Sequence, residues 1–438
     1  MTSSHGTLLL VGAVEDTVRK AKALGLRVLL LQHPTKMTSA QQDLADVVRI
    51  VDYTDWSAVE PLVRQLWHDP GFDAALSLTE PGLEPAGRIN DRYDLGGTGY
   101  EVAHLLRDKW AMRRHLAAAG VPSVAAAPLT ERADLDRFGA EHGAFIVKPV
   151  DGTASFGVFL VRGPQDADEV WARVQKLRGK RTDRGSTLFL IQDFIMEQYV
   201  DGPELSVECF SFAGRHVVVA VTEKFVAPGF AEVGHVVPAR LPHADQEAAR
   251  RYVRRFLAAV GLRDGVSHTE MRIGPDGPVV IESHNRIAGD AIPELVEGAY
   301  GVDLTTYALG WPFGLVPELS GRPRERAAAC TRFLVAEPGR IGSVEGVEDA
   351  GRLPDVLTVR MSAHPGDVIR ELRDNWDRLG LVAVTAPDPE SAIRRGAAVL
   401  REHIRVRTVS HGGRPGIAQV AVVDPAVEQH SDVVEARA

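Results

Sequence analysis

The first hundred residues carry the pattern that most limits the fold. Four short apolar runs, LLLVGA (8–13), RVLLLQ (27–32), VVRIVDY (47–53) and DAALSL (73–78), alternate with helix-period stretches such as VEDTVRKAKALG and SAVEPLVRQLW. Strands that are apolar on both faces, with an amphipathic helix between them, specify a doubly wound parallel sheet covered by helices. A dinucleotide-binding unit would place G-x-G-x-x-G after the first strand, but VGAVEDTV has a single glycine there. The lobe is therefore expected to be a three-layer α/β scaffold without dinucleotide chemistry. The fourth run leads into TEPGLEPAG, which sets Glu80 at a strand's carboxyl edge. A ligand-facing acid and an acid at a helix start are both open readings of that position.

At 438 residues the chain exceeds one hydrophobic core and must divide into lobes. A net charge of −9 with no long basic run argues against nucleic acid or an anionic membrane as partner. Cys209 and Cys330 lie inside apolar runs without CxxC spacing, which reads as buried thiols in a reducing, cytoplasmic compartment. MTSSHGTLLLVGA has neither a basic leader nor an apolar run long enough to span a bilayer. The expected divisions are an N-terminal α/β domain (1–104), a small lobe with a glycine-containing loop (105–185), a larger catalytic lobe (186–318), a C-terminal mixed α/β lobe (319–411) and a partly disordered tail (412–438).

Chemistry concentrates in three segments. In HTEMRIGPDGPVVIESHNR a turn centred near Asp276 would pair Gly274 with Pro278, Arg272 with Val280 and Glu270 with Glu282. Met271, Ile273, Val279 and Ile281 would then bury the opposite face. Two carboxylates roughly 5 Å apart across strands repel unless one is protonated or a cation lies between them. Magnesium shared with substrate phosphates meets that need; two solvated glutamates, or Glu270 paired with Arg272, are the plain alternatives. In IVKPVDGTASFGV, Lys148 ends an apolar strand, and Gly152, Ser155 and Gly157 follow in a loop whose backbone could approach phosphate oxygens. It is not a Walker loop, and an ordinary β-turn is the alternative. In EQYVDGPELSVE, Glu197 and Glu204 flank a turn with Val200 between them, suited to adenine and ribose contacts or simply an acidic turn.

Taken together and in this order, these segments resemble the ATP-grasp superfamily over roughly residues 105–310. The resemblance implies phosphate-binding roles for Lys109, in the R-D-K helix start, and for Lys148. It assigns the loop Asp151–Gly157 to the triphosphate. It makes Glu197, Val200 and Glu204 the nucleotide hinge (E-x-x-V-x-G-x-E), Glu270 and Glu282 the ligands of Mg²⁺ or Mn²⁺, and Arg286 a catalytic cation beside Lys148. One departure stands out: the usual E-x-N-x-R reads Glu282-Ser283-His284-Asn285-Arg286 here. Imidazole is a poor ligand for hard magnesium, so His284 is expected near substrate or phosphates, or as a strand cap, with the third metal oxygen open between Asn285 and water.

TEKFVAPGFAEVGHVVPARLP, with Glu232, His235 and Pro238, resembles the L-amino-acid ligase branch, whose members make dipeptides. The resemblance implies that Glu232 holds an α-ammonium, that Arg286 faces a carboxylate or oxyanion, and that His235 orients a substrate; loop-surface positions are the alternative for Glu232 and His235. PGRIGSVEGVEDAGRLPDV and GDVIRELRDNWDRLGLVAV are similar to the C-terminal lobe of biotin-carboxylase-like ATP-grasp proteins. The implied activity is an ATP-dependent carboxylate–amine ligase with small-molecule carboxylate and amine substrates, ATP and a divalent metal, a homodimer being the generic expectation. A carboxylase-type enzyme forming carboxyphosphate and a non-catalytic nucleotide-binding protein are the competing readings.

Overall fold

A computed structural model describes residues 5–181, 188 and 190–421. In the N-terminal lobe four parallel strands lie in the order Val47–Ile50, Arg27–Gln32, Thr7–Val11, Ala74–Leu76. Leu9, Val11, Leu29 and Leu31 pack on one face with helix Trp56–His68, while Leu8, Leu10, Val28 and Leu30 pack on the other with helix Glu15–Ala23. Both faces are covered, which is why these runs are apolar without alternation. The strand order reverses between the first and fourth strands, and Glu80 follows the fourth, at the switch point where such sheets bind ligands.

The chain around Leu105 is not one continuous helix but two, Tyr100–Leu105 and Lys109–Ala118. Asp108 breaks it by capping: its carboxylate accepts from the Ala111 N–H at 2.7 Å, and Lys109 becomes the first helical residue. A four-stranded antiparallel sheet follows, Ala126–Leu129, Phe194–Gln198, Phe145–Pro149, Phe159–Val161. Its strand Phe194–Gln198 lies beyond the boundary expected at 185.

The central sheet runs Gly277–His284, Gly265–Gly274, Glu204–Phe212, Arg215–Val226, Glu232–Val237, and continues across residue 319 through Ala328–Val335, Gly380–Ala386 and Val356–Met361. The catalytic and C-terminal lobes thus share one sheet. Pro415–Ile417 and Gln419–Val420, expected in a partly disordered tail, pair with Arg407–Val409 and with Leu334–Val335; residues 422–438 of that tail lie outside the described residues. No helix among the described residues is long and apolar enough to cross a membrane.

The hairpin register differs from expectation except at its key pair. Gly274 pairs with Gly277 around a two-residue Pro275-Asp276 turn, and Arg272 pairs with Val279. A bulge skips Ile281, so Met271 faces Val280 and Glu270 again faces Glu282. The shorter turn and the extra residue cancel. Their trace is in the packing: Val280 is in the core, and Ile281 lines the cleft instead of burying the opposite face.

Candidate active site

The N-terminal lobe, small sheet, central sheet and C-terminal lobe enclose a cleft of about 770 Å³. Lys109, Lys148, Gly152, Ser155, Glu197, Val200, Glu204, Glu80, Glu232, Glu270, Glu282 and Arg286 all line it, so the structure brings most of the sequence-derived site together. His284, His235 and Gly157 stand just behind the lining.

At one end are the lysines expected to meet phosphate. Lys109 Nζ lies 2.9 Å from Glu282 Oε2 and donates to the Gly152 carbonyl at 2.9 Å. Burial works against its charge, but Glu282 and Glu80 outweigh burial and hold it above the usual lysine value. Lys148 Nζ lies 2.7 Å from Glu197 Oε2 and donates to the Ile281 carbonyl at 3.2 Å. Its pKa is lowered, by burial first and then by the nearby Arg113 and Lys109 cations, with Glu197 only partly compensating. Between them the loop turns through left-handed backbone at Ala154 (φ 58°), Ser155 (φ 59°) and Gly157 (φ 73°). Two of these are not glycine, so the loop stores strain beside the lysines. Gly157 serves the loop's packing: a Cβ there would come 3.1 Å from Pro149 Cγ.

The two hairpin carboxylates are held apart by cations. Glu282 faces Lys109, while Glu270 pairs with Lys224, which also pairs with Glu232. Four neighbouring strands each supply one group here: Glu270, Glu204, Lys224 and Glu232. Burial opposes the Lys224 charge, yet Glu232, Glu270 and Glu204 hold it well above the ordinary value. Behind Glu270, His268 Nε2 lies 3.1 Å from Glu270 Oε1 and His268 Nδ1 lies 2.9 Å from Glu208 Oε2. Two carboxylate acceptors require both ring nitrogens to donate. Against burial, Glu208 and Glu270 raise the imidazole to about 9. The donor set fits a hard divalent cation: one carboxylate oxygen from each of Glu204, Glu232 and Glu270 lies within 4.8 Å of the others, and Glu282 faces Glu270 across the ladder.

The hinge carboxylates are committed to partners. Glu197 is gripped by Arg113, Nε to Oε1 at 2.8 Å and Nη2 to Oε2 at 3.1 Å; burial opposes its charge, but Arg113 and Lys148 bring it down to about 2. The Glu197 carboxylate is therefore already occupied. Glu204 accepts from Arg272 Nε and Nη2 at 3.0 and 2.8 Å, and the Val200 carbonyl accepts from Arg272 Nη1 at 3.1 Å. The Arg272 guanidinium also lies over Tyr199 and Phe230, giving this end of the cleft an aromatic wall.

Close to Lys109, Glu80 reaches in from the N-terminal lobe. Arg286 Nη2 donates to Glu80 Oε2 at 2.9 Å, and His284 Nε2 stands 3.3 Å from Glu80 Oε1. Glu80 is only 6% exposed, but His284, Arg286 and Lys109 overcome burial and hold its carboxyl well below the usual range. Glu80 both lines the cleft and begins the short helix Glu80–Gly82, so the two placements coincide. His284 thus meets a carboxylate, while Asn285 turns into a separate cavity with Thr98 and Trp311, away from Glu270 and Glu282. Glu232 and His235, left open as loop residues, are buried in strand Glu232–Val237. Glu232 is occupied by Lys224 and by Asn375 Nδ2 at 3.3 Å, and His235 Nε2 lies 3.2 Å from Asp290 Oδ2. Asp290 is clamped by Arg378, Nη1 and Nη2 at 2.7 and 2.8 Å.

Lys224, Arg113, His268, Asp290, Asn375 and Arg378 were not foreseen. Composition held one signal: the chain has eight lysines, and the three that are buried, Lys109, Lys148 and Lys224, all line this cleft. Where arginine supplies most positive charge, a lysine inside an apolar strand marks a position that needs a compact ammonium.

Residues 142–294 match the ATP-grasp domain family, and the chain belongs to the ATP-grasp superfamily, whose enzymes use ATP and a divalent metal. Residues 332–409 match the L-amino acid ligase C-terminal domain 2. An uncharacterized Sinorhizobium fredii protein is 32% identical over 83% of this chain and 74% of its own length. Alanine–anticapsin ligase of Bacillus subtilis is 28% identical over 70% of this chain and 66% of its own length. The fold superposes on an L-amino acid ligase from Bacillus licheniformis with a TM-score of 0.78 at 21% identity, covering 92% of this chain and 99% of that one. Within the superfamily, the chain belongs to the L-amino acid ligase family.

Proposed function

We propose that the protein is an ATP-dependent carboxylate–amine ligase that joins an amino acid to an amine, giving an amide or dipeptide with release of ADP and phosphate. The observation that carries this reading is the convergence of Lys109, Lys148, Glu270, Glu282 and Arg286 on one cleft that extends past the phosphate end to Glu80, Glu232 and Asp290. Lys109 and Lys148 bind and orient the triphosphate beneath the loop Asp151–Gly157, and Glu197–Val200 supplies backbone to the base. Glu270 and Glu282 would hold magnesium, which when bound neutralises phosphate charge.

The substrate carboxylate attacks the γ-phosphorus, ADP leaves, and an acylphosphate forms. The amine then adds to the acyl carbon and expels phosphate. Arg286, held from behind by Glu80, stabilises the oxyanion and the departing phosphate, and preorganisation is what makes such a cation effective. Glu232 and His235 orient the acceptor end through Lys224 and Asp290 rather than by a bare carboxylate.

The test is ADP release with Mg²⁺, ATP and a panel of amino acids offered singly and in pairs, with bicarbonate as a separate arm. Release that needs an acid–amine pair and yields an amide by mass spectrometry is expected. Release stimulated by bicarbonate alone, or by no pair, would sink the ligase reading.

A further inference from the structure

Arg113 is 2% exposed at its side chain and makes more polar contacts than any group the sequence singled out. Besides gripping Glu197 at two points, its Nη1 donates to Ser123 Oγ at 3.1 Å and to the Val280 carbonyl at 2.8 Å, and its Nη2 donates to the Ile281 carbonyl at 3.1 Å. The last two are the carbonyls at the bulge that returns Glu282 to register with Glu270. One guanidinium therefore joins helix Lys109–Ala118, the hinge strand and the hairpin of the candidate metal ligands.

Glu197 lies between two cations, Arg113 and Lys148. As the Lys148 ammonium turns toward a phosphate oxygen, its hold on the carboxylate 2.7 Å away weakens. In a buried site that move strands an unpaired carboxylate unless another cation keeps it satisfied. Arg113 meets the carboxylate through both of its oxygens, as a planar fork does and an ammonium cannot. We propose that Arg113 is a positioning residue that retains the Glu197 charge and so frees Lys148 to bind the triphosphate. The proposal rests on the ligase reading of Lys148 as a phosphate ligand.

ATP affinity in the presence of Mg²⁺, measured by calorimetry on the full chain without acceptor, separates the possibilities. Arg113→Met is expected to weaken binding about ten-fold or more, because a charge-assisted contact is lost and Lys148 becomes the sole counter-ion of Glu197. Arg113→Lys, which keeps a cation beside Glu197 but not the two-point grip, should fall between Arg113→Met and the parent. Arg113→Met combined with Glu197→Gln should recover to within about three-fold of Glu197→Gln alone, since a neutral amide no longer traps Lys148. A merely structural role would not give that recovery. If Lys148→Met binds ATP as the parent does, the phosphate-ligand reading itself fails. If Lys148→Met loses ATP while Arg113→Met binds normally, or while the double variant is no better than Arg113→Met, the positioning role is overturned. Should Arg113→Met not unfold cooperatively, Arg113→Gln takes its place; failure of both to fold makes Arg113 a structural residue and ends the proposal.

Discussion

Glu80→Gln removes one charge at the point where the N-terminal lobe meets the reactive strand end. Glu80 accepts from Arg286 and stands beside His284, with Lys109 close enough to contribute, so its loss uncovers cations on two elements. Deleting one partner of a buried pair costs about 3–5 kcal/mol. Gln retains an acceptor oxygen for Arg286, and the Arg286 side chain is 14% exposed to the cleft, so about 2 kcal/mol of stability is the expected loss. The pH dependence has a definite sign. The Glu80 carboxyl is depressed in the folded state, so its contribution is present above the unfolded value and is lost as pH falls through the folded value. The stability gap between parent and variant, from urea unfolding, should be flat from about pH 6 to 8 and close only below about pH 4. ADP release with an acid–amine pair should fall about ten- to hundred-fold, the scale expected when a catalytic cation is misplaced by about 1 Å. A variant within about 0.5 kcal/mol of the parent, with ADP release within two-fold, would refute the idea that Glu80 anchors Arg286.

Two further perturbations probe charge and burial. Lys224→Met leaves Glu204, Glu232 and Glu270 together without their shared ammonium and should cost about 3 kcal/mol; MgCl₂ should raise the thermal midpoint of the variant more than that of the parent, and equal responses would show that the three carboxylates do not form a cation site. Burial pushes the Cys330 thiol up to about 12 and raises Cys209 as well, so neither should react with iodoacetamide at pH 8 until denaturant is added; labelling of the native protein would contradict their burial.

The fold was legible where local pattern decides it. Parallel strands covered on both faces write themselves as apolar runs, and the four at Thr7–Val11, Arg27–Gln32, Val47–Ile50 and Ala74–Leu76 fell where periodicity put them. The Glu270–Glu282 pairing was reached through a turn one residue too long and a bulge left out. A bulge is invisible to alternation because distant groups stabilise it: here Arg113 and Lys148 take up the Val280 and Ile281 carbonyls. Residues inside recognisable spacings could be singled out, but Lys224 lies in TEKFVAPGFAEVGHVVPARLP with no spacing that marks it. Its meaning depends on strand order, which sets Glu232 on the next strand and Glu270 two strands away on the other side. Asn375 and Arg378 were hidden for the same reason, arriving more than a hundred positions after Glu232 from a lobe whose pattern says nothing of the cleft.

Under the proposed function, the lysines give a reason for metal and triphosphate to bind together. Glu282 is matched by Lys109, Glu270 by Lys224, and Glu197 by Lys148 with Arg113. A bare divalent cation entering beside Glu270 and Glu282 would push Lys224 and Lys109 off those carboxylates, leaving Lys224 to Glu232 and Lys109 to Glu80 beside an added positive charge. A bare triphosphate drawing on Lys109 and Lys148 would strip counter-ions from Glu282 and Glu197. Each event alone would unbalance buried charge, whereas with metal and triphosphate bound together Glu270 and Glu282 would hold the metal while Lys109 and Lys148 hold phosphate. On this account the compact ammonium of lysine is the right tool. It can swing between two anions on a flexible stem, whereas Arg113, rigid and bound at several points, holds the one carboxylate that must not be left behind.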